Sequence, residues 1–147
     1  MITKSRMDIY DYLYDLLFGV VSDNVYRMNE PQELTESDTK DGFLVIRLDD
    51  VRDESEFSGN AYGWVRAYIE AYVPPVSRGR LDTEKYRHFE DDITRAIDDE
   101  IENGNNDKFT INSGSVVSMN GTTNSNANNS YYMYVKSFII TLKNIEV

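Results

Sequence analysis

Residues 62–73, YGWVRAYIEAYV, alternate without a break. Val65, Ala67, Ile69, Ala71 and Val73 fall on one side. Tyr62, Trp64, Arg66, Tyr68, Glu70 and Tyr72 fall on the other. A strict period of two over this length specifies a strand with two unlike faces. The first face is small and branched, a surface on which a helix can lie. The second is aromatic and carries a charge of each sign, which predicts partial cover or cover by another chain. Pro74 and Pro75 end the strand, because neither has an N–H for the ladder. The rest of the chain is expected to be organised around this strand.

Residues 3–21 carry Met7, Tyr10, Tyr14, Leu17 and Val21 at helical spacing, with Ile9, Leu13 and Leu16 on the flank. Residues 24–28 read as a short strand and 29–42 as a polar surface loop around Pro31 and Gly42. Residues 43–48, FLVIRL, are apolar on both faces except at Arg47, so they belong inside the sheet. They pair with the central strand as an antiparallel hairpin, and residues 49–60 form its long projecting loop. Residues 81–103 form the second helix, capped by Asp82 or Thr83. Its stripe of Tyr86, Phe89, Ile93, Ala96, Ile97 and Ile101 is expected to cover the small face of the central strand. Two further strands follow at 108–120 and 131–143, joined by a polar, Asn-rich tip. The fold class is therefore α+β. The order α-β-β-β-α-β-β gives an antiparallel sheet of four to five strands, with two helices packed on it and long hairpin loops at 49–60 and 120–130.

A chain of 147 residues suggests one domain, 1–147. At this size roughly 68–70% of the unfolded surface is buried on folding, enough for a core without staples. Cysteine is absent, which removes disulfides and thiolate chemistry and suits a reducing cytoplasm. No signal peptide is visible: Asp8, Asp11 and Asp15 interrupt the first apolar run. No segment approaches the ~20 apolar residues of a bilayer span, so no membrane role is expected. Acidic residues number 26 against 15 basic, a net charge of -11. Such a surface repels nucleic acid at long range and argues against specific DNA binding. The 11 tyrosines favour interfaces, where amphipathic rings are enriched.

No catalytic signature stands out. His88 is the only histidine, and no serine or cysteine is placed by spacing to use it. The acids at 49–56 lack calcium-loop spacing, and Arg52 opposes a cation there. Those of the second helix read as a solvated face. The glycines form neither a P-loop nor a dinucleotide fingerprint. Neither a cofactor, a metal nor an enzymatic activity is expected.

The order of elements resembles the tail-terminator and tail-completion ring proteins of tailed bacteriophages. The resemblance is carried by the helix MDIYDYLYDLLFGVV, the short strand NVYRM before Pro31 and the hairpin FLVIRL…YGWVRAYIEAYV. The helix TEKYRHFEDDITRAIDDEI and the closing pair KFTINSGSVVSMN and YYMYVKSFIITLK complete it. It spans nearly the whole chain as a match of pattern and size, without a diagnostic motif. It implies a virion structural protein that assembles in the bacterial host cytoplasm into a homo-oligomeric ring at the head–tail neck. Such a ring joins or terminates the tail beside connector and tail proteins, and DNA passes through its channel without specific binding. The Asn-rich tip and the acidic balance depart from typical members. A ring needs a sheet with one face on its own helices and the other available to neighbours. The residues expected to make those contacts are Trp64, Arg66, Tyr68, Tyr72, Tyr132 and Tyr134, with Asp53, Glu54 and Phe57 in the projecting loop. Two alternatives compete: an acidic DNA mimic that inhibits a host nuclease, favoured by net charge, and a small ligand-binding module.

Overall fold

A computed structural model of the chain describes residues 6–29, 31, 33–49, 52–53, 63–103, 109–124 and 130–142. The central strand is β4, Gly63–Val73, and its alternation is realised in space. Val65, Ala67, Ile69, Ala71 and Val73 are fully buried, whereas Trp64, Arg66, Tyr68 and Glu70 are half-buried.

Before β4 come helix α1 (Arg6–Leu17), strand β1 (Val25–Arg27), helix α2 (Glu36–Asp41), strand β2 (Phe43–Leu48) and the two-residue β3 (Arg52–Asp53). After it come helix α3 (Thr83–Glu102) and strands β5 (Phe109–Ile111), β6 (Val117–Asn124) and β7 (Ser130–Leu142). The sheet order is β1-β2-β4-β7-β5. On one side of β4, β3 continues the line of β2; on the outer side of β7, β6 continues the line of β5. Every pairing is antiparallel except β1 with β2, which is parallel. The fold is thus α+β, but the sheet is mixed and three helices are present among the described residues.

Both departures from the sequence expectation have one cause. Residues 29–42 are not simply a loop, because α2 forms inside them. Thr35 caps it: its hydroxyl accepts from the Asp38 N–H, and the Asp38 carboxylate accepts from the Thr35 N–H. This crossover carries the chain back to the end of the sheet where β1 began, so β2 runs parallel to β1.

The main core lies between the odd-numbered face of β4 and the two long helices. Ile9, Leu13 and Leu17 of α1 and Phe89, Ile93 and Ile97 of α3 close over Ala67, Ile69, Ala71 and Phe138. The α3 stripe covers the small face as its spacing implied, and Asp82 provides the cap. The α1 stripe is rotated from the expected one. Met7 is exposed while Ile9 and Leu13 face the core, because their aliphatic side chains fit the small strand surface more closely. The helix stops at Leu17, and Gly19, at a φ of 76°, turns the chain toward β1.

The stretch expected as one strand over 108–120 is two. A 3-10 turn at Ser113–Ser115 separates β5 from β6. The polar connector expected over 121–130 is partly strand, because β6 runs to Asn124 and β7 begins at Ser130. In the long loop, Arg52 and Asp53 extend the hairpin by pairing with Trp64 and Gly63. Residues 54–60 of that loop and residues 125–129 of the tip lie outside the described residues.

Candidate functional site

The register of β4 with β7 decides which aromatic residues share a surface. Tyr72 lies opposite Met133 and Tyr68 opposite Ser137, while Ala71 lies opposite Tyr134 and Val73 opposite Tyr132. Even-numbered residues of β4 therefore share a face with odd-numbered residues of β7. The contact set expected from sequence does not form one patch. Trp64, Arg66, Tyr68 and Tyr72 point away from the long helices, whereas Tyr132 and Tyr134 stand on the helix side.

Two of the expected contact residues lie buried inside the subunit. Tyr72 is 2% exposed and stacks on Phe43 at 4.6 Å between ring centroids. With Val45 and Tyr131 they form a second small core, bordered by Tyr26, Leu34 and Met133. Aromatic rings bury more apolar area than they contribute polar handles, so a cluster of them closes on itself. Tyr134 is 1% exposed and belongs to the main core. Tyr132 is half-buried, and its hydroxyl donates to the Gly79 carbonyl at 2.8 Å. Asp53 is placed by its backbone alone, and Glu54 and Phe57 lie outside the described residues.

What remains of the outward face has two halves. Leu34 packs at the end occupied by Phe43 and Tyr72, and the Tyr26 hydroxyl donates to both oxygens of Asp38, which is buried in α2. Arg47 and Glu70 seal the border with a 2.6 Å ion pair, and the same guanidinium donates to the Met28 carbonyl. The guanidinium stays protonated: burial lowers its pKa, but its bonds to Glu70 and Tyr72 outweigh that and raise it. The other half carries Trp64, Arg66 and Tyr68. Arg66 donates to the Ser137 hydroxyl and Tyr68 to the Asp49 carboxylate, so these side chains are held in place while half-exposed. No helix among the described residues lies over this half.

Sequence reasoning missed the neighbouring edge. Val117 and Met119 are 49% and 46% exposed, and they stand opposite Ser137 and Val135 on the outward face. Their alternation with Ser118 and Asn120 was the available signal. β6 pairs only with β7 among the described residues, so its outer edge is an unpaired ladder.

The groups that could do chemistry are dispersed. His88 is exposed on α3 and contacts the Asp92 carboxylate at 3.1 Å. It lines a pocket of about 300 Å³ with Ser37, Asp41 and Lys85. The Ser37 hydroxyl, however, donates to Asp41 and accepts from Asn24, so it is not bonded to the imidazole. Among the described residues no three His, Asp or Glu side chains gather as a metal site. No helix of the described residues is long and apolar enough to cross a membrane. The outward face and the β6 edge are the surfaces that most resemble a docking site. No protein-family model matches the chain, and no curated protein matches it.

Proposed function

We propose that this chain is a virion structural protein, a subunit of a homo-oligomeric ring at the head–tail junction of a tailed bacteriophage. The observation that carries this reading is the one-sided helix layer. Both long helices pack on the odd-numbered face of β4, and half of the opposite face is left with half-buried Trp64, Arg66 and Tyr68. That half runs into the exposed Val117 and Met119 on an edge that is unpaired among the described residues. A ring of identical subunits needs heterologous contacts, a face on one copy meeting a different patch on the next. An open edge and an open face on one sheet supply two such patches. The net charge of -11 fits a channel through which DNA passes without sticking, provided the acids line the lumen. The ring would sit among connector and tail proteins and assemble in the host cytoplasm.

Light scattering and electron microscopy of the purified protein, alone and with the neck proteins of its virion, test the proposal. Closed rings, or rings that form on a tail or connector, support it. Absence of the protein from virions by mass spectrometry defeats it. A second reading draws on α3, where Asp91, Asp98, Asp99 and Glu102 are exposed. Such a row of carboxylates suits a DNA mimic that inhibits a nuclease, and recovery of a nuclease in a pull-down would move the assignment there.

A further inference from the structure

The pocket of about 300 Å³ beside His88 is walled by the connection from α1 to β1, by α2 and by the first turns of α3. Its walls carry opposite charge. Asp23 stands on the connection and Asp41 on α2, whereas Lys85 stands on α3. Among the described residues none of these three makes an ion pair. His88 is turned to Asp92. Val21, half-buried, and Phe89, 5% exposed, give the pocket an apolar part.

The charged groups keep bonding capacity. The Lys85 ammonium carries three hydrogens and donates one to the Lys40 carbonyl at 2.8 Å. The Asp41 carboxylate receives the Ser37 hydroxyl at 3.3 Å on one of its two oxygens. The neutral groups are committed to one another. The Asn24 amide donates to Ser37 Oγ and to the Gly42 carbonyl, and Ser22 Oγ accepts the Asn24 N–H. What the pocket offers a ligand is a cation on one wall, two anions on the other and an apolar patch. A simple anion meets repulsion from Asp23 and Asp41, in a chain whose net charge is already -11. A simple cation answers the acids and leaves Lys85 unpaired. A molecule that carries both signs answers both walls. Its size is bounded by a volume at the lower end of the roughly 300–1,000 Å³ of small-molecule sites.

We propose that this pocket binds a small zwitterion, an amino acid with an aliphatic side chain or spacer. Lys85 donates to its carboxylate, Asp23 and Asp41 accept from its ammonium, and Val21 and Phe89 meet the aliphatic part. The site shares no residue with the outward face or the β6 edge, so it stands or falls apart from the ring reading.

Calorimetry on the full chain tests this with two zwitterions. L-leucine holds its charges close together, and ε-aminocaproate holds them far apart. Each has controls that lack one charge: L-leucinamide and isocaproate for the first, hexylamine and caproate for the second. At least one zwitterion is expected to bind. Its controls are expected to bind about three- to tenfold more weakly, the range for charge-assisted contacts at a partly open site. Lys85→Met should bring the zwitterion down to the level of its ammonium-only control without weakening that control. Asp23→Asn with Asp41→Asn should bring it down to the carboxylate-only control in the same way. Asp23 and Asp41 are exposed, so this paired variant keeps the fold and decides the matter if Lys85→Met does not fold. If neither zwitterion binds, or if a bound one loses no affinity in the variants, the pocket has no such ligand.

Discussion

Gly42 joins α2 to β2 at a φ of 86°. A Cβ there would lie 2.4 Å from the Tyr72 carbonyl oxygen and 3.1 Å from the Phe89 ring. Both the backbone and the space exclude a side chain, and the atom in the way is main chain that cannot move aside. Gly42→Ala is therefore expected to cost about 2–4 kcal/mol, read as a lower urea midpoint at unchanged m. Two tyrosines make a prediction of a different kind. Tyr12 donates to Glu100 at 2.5 Å and ties α1 to α3, while Tyr26 donates to Asp38. Burial first, then the hydrogen bond and charge of the carboxylate, hold both phenols above their ordinary value of 10.0. The unfolded chain releases these protons near pH 10 and the folded chain keeps them. Stability is thus complete below that pH and falls as the pH rises beyond it. Tyr12→Phe with Tyr26→Phe should lose about 1–3 kcal/mol per site at neutral pH and flatten the alkaline loss. Tyr68 and Tyr86 are shifted the same way, so some slope persists.

At the scale of elements, α3 illustrates how unequal its supports are. Ile93 is fully buried against the sheet, whereas Asp82 caps the exposed first turn through the Lys85 N–H. Ile93→Ala is expected to cost about 3–4 kcal/mol and Asp82→Ala about 1 kcal/mol in the same denaturation experiment. The helix was legible from its stripe. The six-residue α2 was not, because ESDTKD has no apolar stripe to reveal a period. Its only signal was a threonine three residues before an acid, the capping pattern. The break between β5 and β6 was equally hidden. Asn112 folds its side chain onto the Gly114 N–H, and the Ser115 hydroxyl accepts the Ile139 N–H in place of a ladder carbonyl. A short polar turn can stand in for one rung of a sheet without disturbing the apolar pattern around it.

For the molecule as a whole, the consequence of the β4–β7 register is a sheet with unequal sides. One side is closed by α1 and α3. The other is closed at the Phe43–Tyr72 end and half-open around Trp64 and Tyr68. If ring assembly uses the open half and the β6 edge, charge placed there should block assembly without unfolding the subunit. Val117→Lys with Met119→Lys is expected to change stability by no more than about 0.5 kcal/mol per site, since both positions are exposed. The same variant should remain a monomer in light scattering under conditions where the wild type forms rings. Rings that persist in this variant would remove the β6 edge from the interface.

By itself, the sequence determined where the periodic elements lie and which face of each is apolar. The alternation of 62–73 and the stripe of 81–103 depend on side-chain spacing along one segment, and spacing survives folding unchanged. Tertiary structure alone decided which faces meet. The pairing of Tyr72 with Met133 rather than a residue to either side sent Tyr132 and Tyr134 to the helix side. It also brought Lys136 beneath Thr94, 42 residues away in the chain. A register shift of one residue reverses every side chain of a strand, and no single segment encodes which register its partner adopts.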